Sequence, residues 1–374
     1  MTQKSKVYFC TMRTVAGGMN LPQKLANLIK KAGIANIDFD NKYVAIKMHF
    51  GEPGNLAYLR PQFPKAVADV VKELGGRPFL TDCNTMYTGL RHNALDHLYA
   101  AEIDGFNSMT TGCHVIIGDG LKGDDEVTVP VNGELVQNAY IGRAVRDADV
   151  IIALSHFKGH EMAGFGGCIK NLGMGAASIA GKKDQHSGSK PQVDQSGCIS
   201  CGICTTQCAY SAVTLGDNNK ARIDHSKCVG CGRCVGACPK KTIRFLDGNA
   251  EEILNKKMAE YTVGVLKDKP SFHINVIMDV SPNCDCHGEN DAPIIPNVGM
   301  LCSFDPVAVD VAAADLCKMQ PSIATSALGD NHHRHGDDCF VCAHPNTDWH
   351  SQITQAIKMG LGTDQYELIT IEDK

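Results

Sequence analysis

Short apolar runs alternate with longer amphipathic segments through the first half of the chain. Val44-Ala-Ile-Lys-Met48, Pro78-Phe-Leu80, His114-Val-Ile-Ile117 and Val150-Ile-Ile-Ala-Leu154 are too short for helices and too continuously apolar for one-sided strands. Each therefore reads as a strand buried on both faces. Leu21–Ala32, Pro64–Leu74 and Asn138–Ala148 carry helical periodicity between them. Strand alternating with helix predicts an α/β fold with a mostly parallel sheet covered on both faces. The pattern breaks at the polar stretch Lys182–Gly197, KKDQHSGSKPQVDQSG, and resumes after residue 250. A helix is expected over Ala250–Leu266, a strand at His273–Met278, a helix over Pro306–Cys317 opened by Asp305-Pro306, and a last helix over Ser351–Met359. The C-terminal part holds few strands of its own. The expected organisation is thus one α/β domain, residues 1–185 and 250–374, interrupted by a small domain at 190–246.

That interruption has a pattern of its own. Cys198, Cys201, Cys204 and Cys208 repeat thirty positions later as Cys228, Cys231, Cys234 and Cys238, with Pro239 following. Each frame reads C-x2-C-x2-C-x3-C, the spacing of the bacterial-type 2[4Fe–4S] ferredoxin, a small α+β domain. In that arrangement three cysteines of one frame and the last cysteine of the other hold one cluster. Cys198, Cys201, Cys204 and Cys238 are assigned to the first cluster, and Cys228, Cys231, Cys234 and Cys208 to the second. A zinc site or disulfides are the competing explanations of so many cysteines.

Composition narrows the class. The chain of 374 residues is long enough for a large core, and its 21% charged and 43% hydrophobic residues are ordinary for a soluble protein. A formal net charge of −5 without a long basic run gives no footing for nucleic acid or an anionic membrane. The N-terminal stretch lacks the apolar core of a secretion signal, and no apolar run is long enough for a bilayer. Eighteen cysteines in such a chain are expected in a reducing cytoplasm, and oxygen-sensitive clusters suggest an anaerobic host. The oligomeric state is not legible.

Polar residues follow nearly every expected strand, where open α/β sheets bind ligands. Lys47, His49 and Glu52 follow the first, Asp82 and Cys83 the second, Asp119 the third, and His156, Lys158, His160 and Glu161 the fourth. Asp279 and then Asn283-Cys-Asp-Cys-His287 follow the strand near residue 276. Five such loops predict a reactive cleft, with Lys47, His49, Asp82, His156, Lys158, His160, Lys170, Cys284 and Cys286 as its candidate catalytic residues. The densest segment is Ser155–Gly175, SHFKGHEMAGFGGCIKNLGMG. Gly164, Gly166, Gly167, Gly173 and Gly175 would let backbone approach a cofactor or cradle an anion, against the alternative of a glycine-rich loop with locally bonded histidines. The lysines suit a small anionic substrate, or base chemistry if desolvated. Cys284-x-Cys286 can face one metal, form a reducible disulfide, or lie as two buried thiols. A further metal site, for zinc, is suggested by Cys339-x2-Cys342 with His332, His333, His335 and His344 near by; a solvated polar loop is the other reading.

With these segments in hand, the chain resembles the uncharacterised iron–sulfur centre proteins, domain of unknown function 362. The likeness rests on Lys47-x-His49-Phe-Gly-Glu52, on Ser-His-Phe-Lys-Gly-His160 with the glycine-rich run to Gly175, on Asn-Cys-Asp-Cys286, and on Ser303-Phe-Asp-Pro-Val-Ala-Val-Asp310. It implies the fold and the inserted ferredoxin but no reaction. His160-x2-Ala-Gly-Phe-x-Gly-Gly-x2-Lys170 is also similar to a segment of the nickel-dependent lactate racemases. That similarity implies a metal ligand or base at His160 and a nickel-cofactor contact at Lys170. The chain departs from it in Asn171-Leu-Gly-Met-Gly175 and in having the ferredoxin. The expected function is an oxidoreductase that passes single electrons through the two clusters to the cleft, served by a redox partner protein. The alternatives are an electron-carrier or metal-delivery protein for a client enzyme, and a metal-dependent racemase or isomerase relative.

Overall fold

The computed structural model describes residues 4–87, 89–245, 249–331, 334 and 336–372. An eight-stranded sheet contains β1 (Ser5–Thr11), β2 (Tyr43–Lys47), β3 (Arg77–Asp82), β4 (Val115–Ile117), β5 (Val150–His156), β6 (Ser271–Ile277), β7 (Gly299–Ser303) and β8 (Tyr366–Thr370). Across the sheet they run β8-β1-β7-β6-β5-β2-β3-β4. Strand β7 is antiparallel to both neighbours, β1 and β6, and every other pairing is parallel. The fold is therefore mixed α/β with a mostly parallel sheet, and strands from before and after the cysteine frames share it.

The central strands read as apolar runs because both of their faces are covered. All of β5 is buried. Its Val150, Ile152 and Leu154 join one core with Leu25, Leu28, Val67 and Val71 of the helices Leu21–Lys31 and Gln62–Glu73. Ile151 and Ala153, on the other face, join a second core with helices Ala250–Leu266, Pro306–Lys318 and His350–Lys358. Local signals fix the helix starts. Asn20 accepts from Gln23 N while the Gln23 side chain accepts from Asn20 N, and Asp305 accepts from Val307 N and Ala308 N ahead of Pro306.

Two expectations are corrected. Asn138–Ala148 is not one helix: Asn138–Gly142 is a strand paired antiparallel with Glu126–Pro130, and only Arg143–Asp147 is helical. The periodicity misled because Ala139, Ile141 and Val145 bury into the same core from a strand and a helix in succession. The polar stretch from Lys182 begins inside a helix, Ile179–His186, capped by Ser178 and holding Gln185 buried.

The segment between repeats itself with the thirty-residue offset of its cysteines. Strands Pro191–Val193 and Ala221–Ile223, helices Ile203–Thr206 and Arg233–Gly236, and strands Val213–Leu215 and Ile243–Phe245 are equivalent pairs. The strands pair crosswise, Pro191–Val193 with Ile243–Phe245 and Val213–Leu215 with Ala221–Ile223. Backbone conformation repeats too: φ is positive at Ser200 and Gly230, at Gly202 and Gly232, and at Ser211 and Lys241. Asp194 and Asp224 each accept from the backbone and hydroxyl of a serine two residues on. The expected boundary at residue 246 lies outside the described residues. Among the described residues no helix is long and apolar enough to cross a membrane.

Candidate active site beside the cysteine frames

Because β2, β3, β5 and β6 are parallel, their C-terminal ends share one edge of the sheet, and the residues that follow them converge there. At the floor, Lys47 Nζ lies 2.9 Å from Asp82 Oδ1 and donates to Asn171 Oδ1 at 2.8 Å. Lys47 and Asp82 are both almost wholly buried. Burial pulls the Lys47 ammonium down, and Asp82 opposes it. Burial alone would raise the Asp82 carboxyl, but Lys47, His49 and His97 hold it well below its ordinary value. Asn171 Nδ2 donates to Lys47 O, Leu154 O and Ser155 Oγ, which ties β2 to β5 beneath the cleft. His49 faces two donors, Gly51 N at 2.9 Å and Arg91 Nη1 at 2.9 Å. Burial and the Arg91 charge keep its ring neutral.

Above this floor His156 has both ring nitrogens engaged. Nε2 meets Met278 O at 2.7 Å and must carry a hydrogen, since a carbonyl only accepts; Nδ1 meets Asp285 Oδ2 at 2.8 Å. His156 thus holds Asp285 in place and has no lone pair free for a metal. Lys158 Nζ stands 3.9 Å from the same carboxylate. Asp285 in turn fixes the cysteines on either side of it. Lys170 Nζ donates to Cys284 Sγ at 3.1 Å, and Cys286 N to the same sulfur at 3.4 Å. A hydrogen bond from the Cys286 thiol, with Lys170, Lys158 and His160, holds the Cys284 thiol well below its usual range despite burial; that bond and burial raise Cys286.

His160 Nδ1 accepts from Met162 N and Ala163 N, so a hydrogen on this ring sits on Nε2. Glu161 Oε1 accepts from His287 Nε2 at 2.8 Å. Arg233, inside the second cysteine frame, donates to His287 Nδ1 at 2.8 Å and to Cys286 O at 3.0 Å, and its guanidinium lies 4.3 Å from the Tyr87 ring centroid. One cavity is lined by His160, Glu161, Lys170 and Cys286 on the α/β side and by Cys231 and Arg233 on the other. A side-chain carbon at Gly232 would come 2.8 Å from Met162 Sδ, and one at Gly230 would collide with His186 O, so the second frame is seated directly on the cleft. Gly202, its counterpart in the first frame, has open space around it, and Cys201 beside it is exposed.

The eight frame cysteines gather into two sets. A cavity is lined by Cys198, Cys201, Cys204 and Cys238. The Cys204 thiol is pushed up by burial and then by Cys201, Cys198 and Cys238. Burial and then Cys231, Cys228 and Cys208, ahead of Cys204, push the Cys234 thiol up to about 12. Each set joins three cysteines of one frame with the last of the other. All eight are free thiols. Four cysteines lining one cavity fit a cation-rich cluster that would bind them as thiolates.

The five glycines named from the sequence approach the chain's own atoms. Gly164 has φ of +83° and abuts Trp349; side-chain carbons at Gly166, Gly167, Gly173 and Gly175 would meet Lys158 Nζ, Asp310, Met258 O and Lys47 Nζ. They make room for the lysines, for Asp310 and for the crossing helix Ala250–Leu266. Cys339 is buried and Cys342 half-buried on the short helix Cys339–Ala343, with Asp338 and Cys342 acting on Cys339 and Cys339 acting on Cys317. His344 Nε2 is engaged by Pro282 O, and His332, His333 and His335 lie outside the described residues.

Three functional contacts escaped the sequence reading. Arg91, fully buried, binds Glu52 Oε2 at 2.8 Å and reaches His49 and Cys286 O. Arg233 sat in a gap between cysteines. Asp310 Oδ1 accepts from Cys168 N and Asn275 Nδ2, and Oδ2 from Ile169 N, which anchors the turn that aims Lys170. Burial pushes the Asp310 carboxyl up to about 6 against those three donors. The folded state therefore binds this proton more tightly than the unfolded chain. The stability linked to it is complete below about pH 4 and is lost as pH rises through about 6. Asp310→Asn is expected to flatten the fall in thermal stability between those pH values, and an unchanged slope would contradict this placement.

Fold and site together define a class: an α/β protein whose sheet edge forms a buried His/Lys/Cys cleft with a repeated cysteine module seated on it. The chain belongs to the family described as Domain of unknown function (DUF362), whose profile matches residues 44–315. No curated protein matches it. Solved structures similar to it include the lactate racemase apoprotein from Thermoanaerobacterium thermosaccharolyticum, with 12% identity and a TM-score of 0.33, over 74% of this chain and 51% of that one. A protein from Thermotoga maritima has 13% identity and a TM-score of 0.39, over 79% and 57%. The chain thus spans little more than half the length of either, and overlaps this loose carry no argument about activity.

Proposed function

We propose that this protein is an iron–sulfur oxidoreductase. Cys198, Cys201, Cys204 and Cys238 would hold one [4Fe–4S] cluster, and Cys228, Cys231, Cys234 and Cys208 the other, within a ferredoxin-type domain at 190–246. When bound, such clusters supply single-electron transfer. One observation carries the reading: Cys231 and Arg233 line the same cavity as His160, Lys170 and Cys286. Around that cavity Lys170 holds the Cys284 proton off, His156 and Lys158 position Asp285, and Arg233 clamps the backbone at Cys286. A small anionic substrate suits the lysines and Arg233. An external redox protein suits the opposite side, where Cys201 is exposed.

The test is metal and acid-labile sulfide analysis of anaerobically prepared protein. About eight irons and eight sulfides per chain are expected. Stoichiometric zinc in the frames, with no sulfide, would overturn the reading. A metal-handling role has one observation of its own: ligand atoms of Glu161, Cys286 and His287 lie within 4.8 Å of one another. Arg233 weighs against it, because an arginine only donates. His287 Nδ1 must accept from it, so Nε2 carries a hydrogen towards Glu161 where a metal would need a lone pair. Nickel or zinc beyond the iron, lost in His287→Ala, would favour that second role.

A further inference from the structure

Cys284 and Cys286 belong to neither frame set, yet Cys286 faces the cavity together with Cys231 of the second frame. Cys286 lines it, and Cys284 lies fully buried beside Lys170. Cys286 N donates to Cys284 Sγ at 3.4 Å, which holds the two cysteines in one tight turn. The residue between them is anchored by His156 and Lys158, so both sulfurs are presented from a fixed turn. Of the remaining polar lining, Lys170, Lys182 and Arg233 are cationic against the one carboxylate of Glu161, with Tyr87 and three histidines beside them. The apolar wall is Met86, Met162, Met174, Leu254 and Met258, flexible side chains that adapt to a varied ligand body.

We propose that Cys284 and Cys286 form a dithiol/disulfide couple that reduces a small disulfide carrying an anionic group. The proposal rests on the oxidoreductase reading and names the substrate class of that same site. Cys284 thiolate takes the proton of Cys286 as the Cys286 sulfur attacks one substrate sulfur and the substrate S–S bond breaks. The first product leaves as a thiol with that proton. Cys284, again a thiolate, attacks the Cys286 sulfur, forms the Cys284–Cys286 bond and expels the second product as a thiolate, which takes a proton from water. The dithiol loses two electrons and the substrate gains two. Two electrons and one proton restore the thiolate and thiol, supplied by one-electron donors of the iron–sulfur class proposed above. Two cluster sites match that two-electron demand.

The test mixes anaerobically reduced protein with glutathione disulfide, then alkylates it and maps the peptide containing both cysteines by mass, with iron content followed on the same sample. A Cys284–Cys286 disulfide is expected, with two thiols released per chain when only the dithiol is reduced and four when both clusters are reduced as well. Cys284→Ser should stop at a mixed disulfide on Cys286, and Cys286→Ser should release no thiol through this site. Lys170→Met should slow the reaction at pH 7 and recover at higher pH, which loss of folding would not do. Cystamine, a cationic disulfide, should react more slowly than glutathione disulfide, and equal rates would overturn the anionic part. If the clusters are present and reducible while the 284–286 peptide stays a dithiol, the inference fails and the oxidoreductase reading stands. If iron is absent but dithiothreitol-reduced protein forms the disulfide and releases thiol, the inference stands and that reading fails.

Discussion

Replacing Cys198 and Cys238 together by alanine is expected to remove no more iron than replacing either alone, about four of about eight atoms per chain. The reason is the crosswise gathering of the cysteines: Cys204 is acted on by Cys201, Cys198 and Cys238, whereas Cys234 is acted on by Cys231, Cys228 and Cys208 ahead of Cys204. Each set is built by strands that pair across the repeat, so the last cysteine of one half is delivered to the other. Cys198→Ala with Cys208→Ala should instead remove nearly all the iron. If each frame held its own cluster the outcomes would be exchanged, and the Cys198/Cys238 pair would strip both sites.

Asp82→Ala is expected to destabilise the fold by about 3–5 kcal/mol, because it leaves the Lys47 ammonium buried without its carboxylate. That is a large share of the roughly 5–15 kcal/mol by which domains are stable. Replacing both partners, Lys47→Met with Asp82→Leu, should cost less than Asp82→Ala alone, since no unpaired charge remains. The pH dependence follows from the depressed Asp82 carboxyl. Its contribution is complete above the ordinary carboxyl value near pH 4 and is lost as pH falls below it. Thermal unfolding of the anaerobic protein measures both effects. A loss under about 1 kcal/mol in Asp82→Ala would mean that water reaches Lys47.

Much of this architecture was legible because buried strands advertise themselves. Val150-Ile-Ile-Ala-Leu154 and Val44-Ala-Ile-Lys-Met48 are apolar because both sheet faces are covered, and the helix over Ala250–Leu266 appears with those bounds. Strands β1 and β8 were not recognised, since each has half-buried and exposed positions, β8 at the sheet edge and β1 next to it. Nor was β7, which is buried throughout but built from Gly299, Met300, Leu301, Cys302 and Ser303, residues without a strand signature. In the cleft, the residue types after each strand were readable and their convergence follows from strand direction. What joins them was not. Arg91 reaches Glu52 across 39 positions and Arg233 reaches His287 across 54, and a long side chain leaves no periodic trace of where it ends. The glycines were visible as a cluster, but whether a glycine yields to a ligand or to a neighbouring side chain is decided by packing from elsewhere in the chain.

The central claim is that the second cysteine set and the cleft form one electrical unit. Potentiometric titration of both clusters by electron paramagnetic resonance, in the native protein and in Glu161→Gln, tests it most directly. Glu161 lines the cavity with Cys231, and removing its negative charge favours the reduced, more negative cluster. One midpoint potential should become more positive while that of the outward-facing set stays put. Two unshifted potentials, or equal shifts in both, would contradict the account.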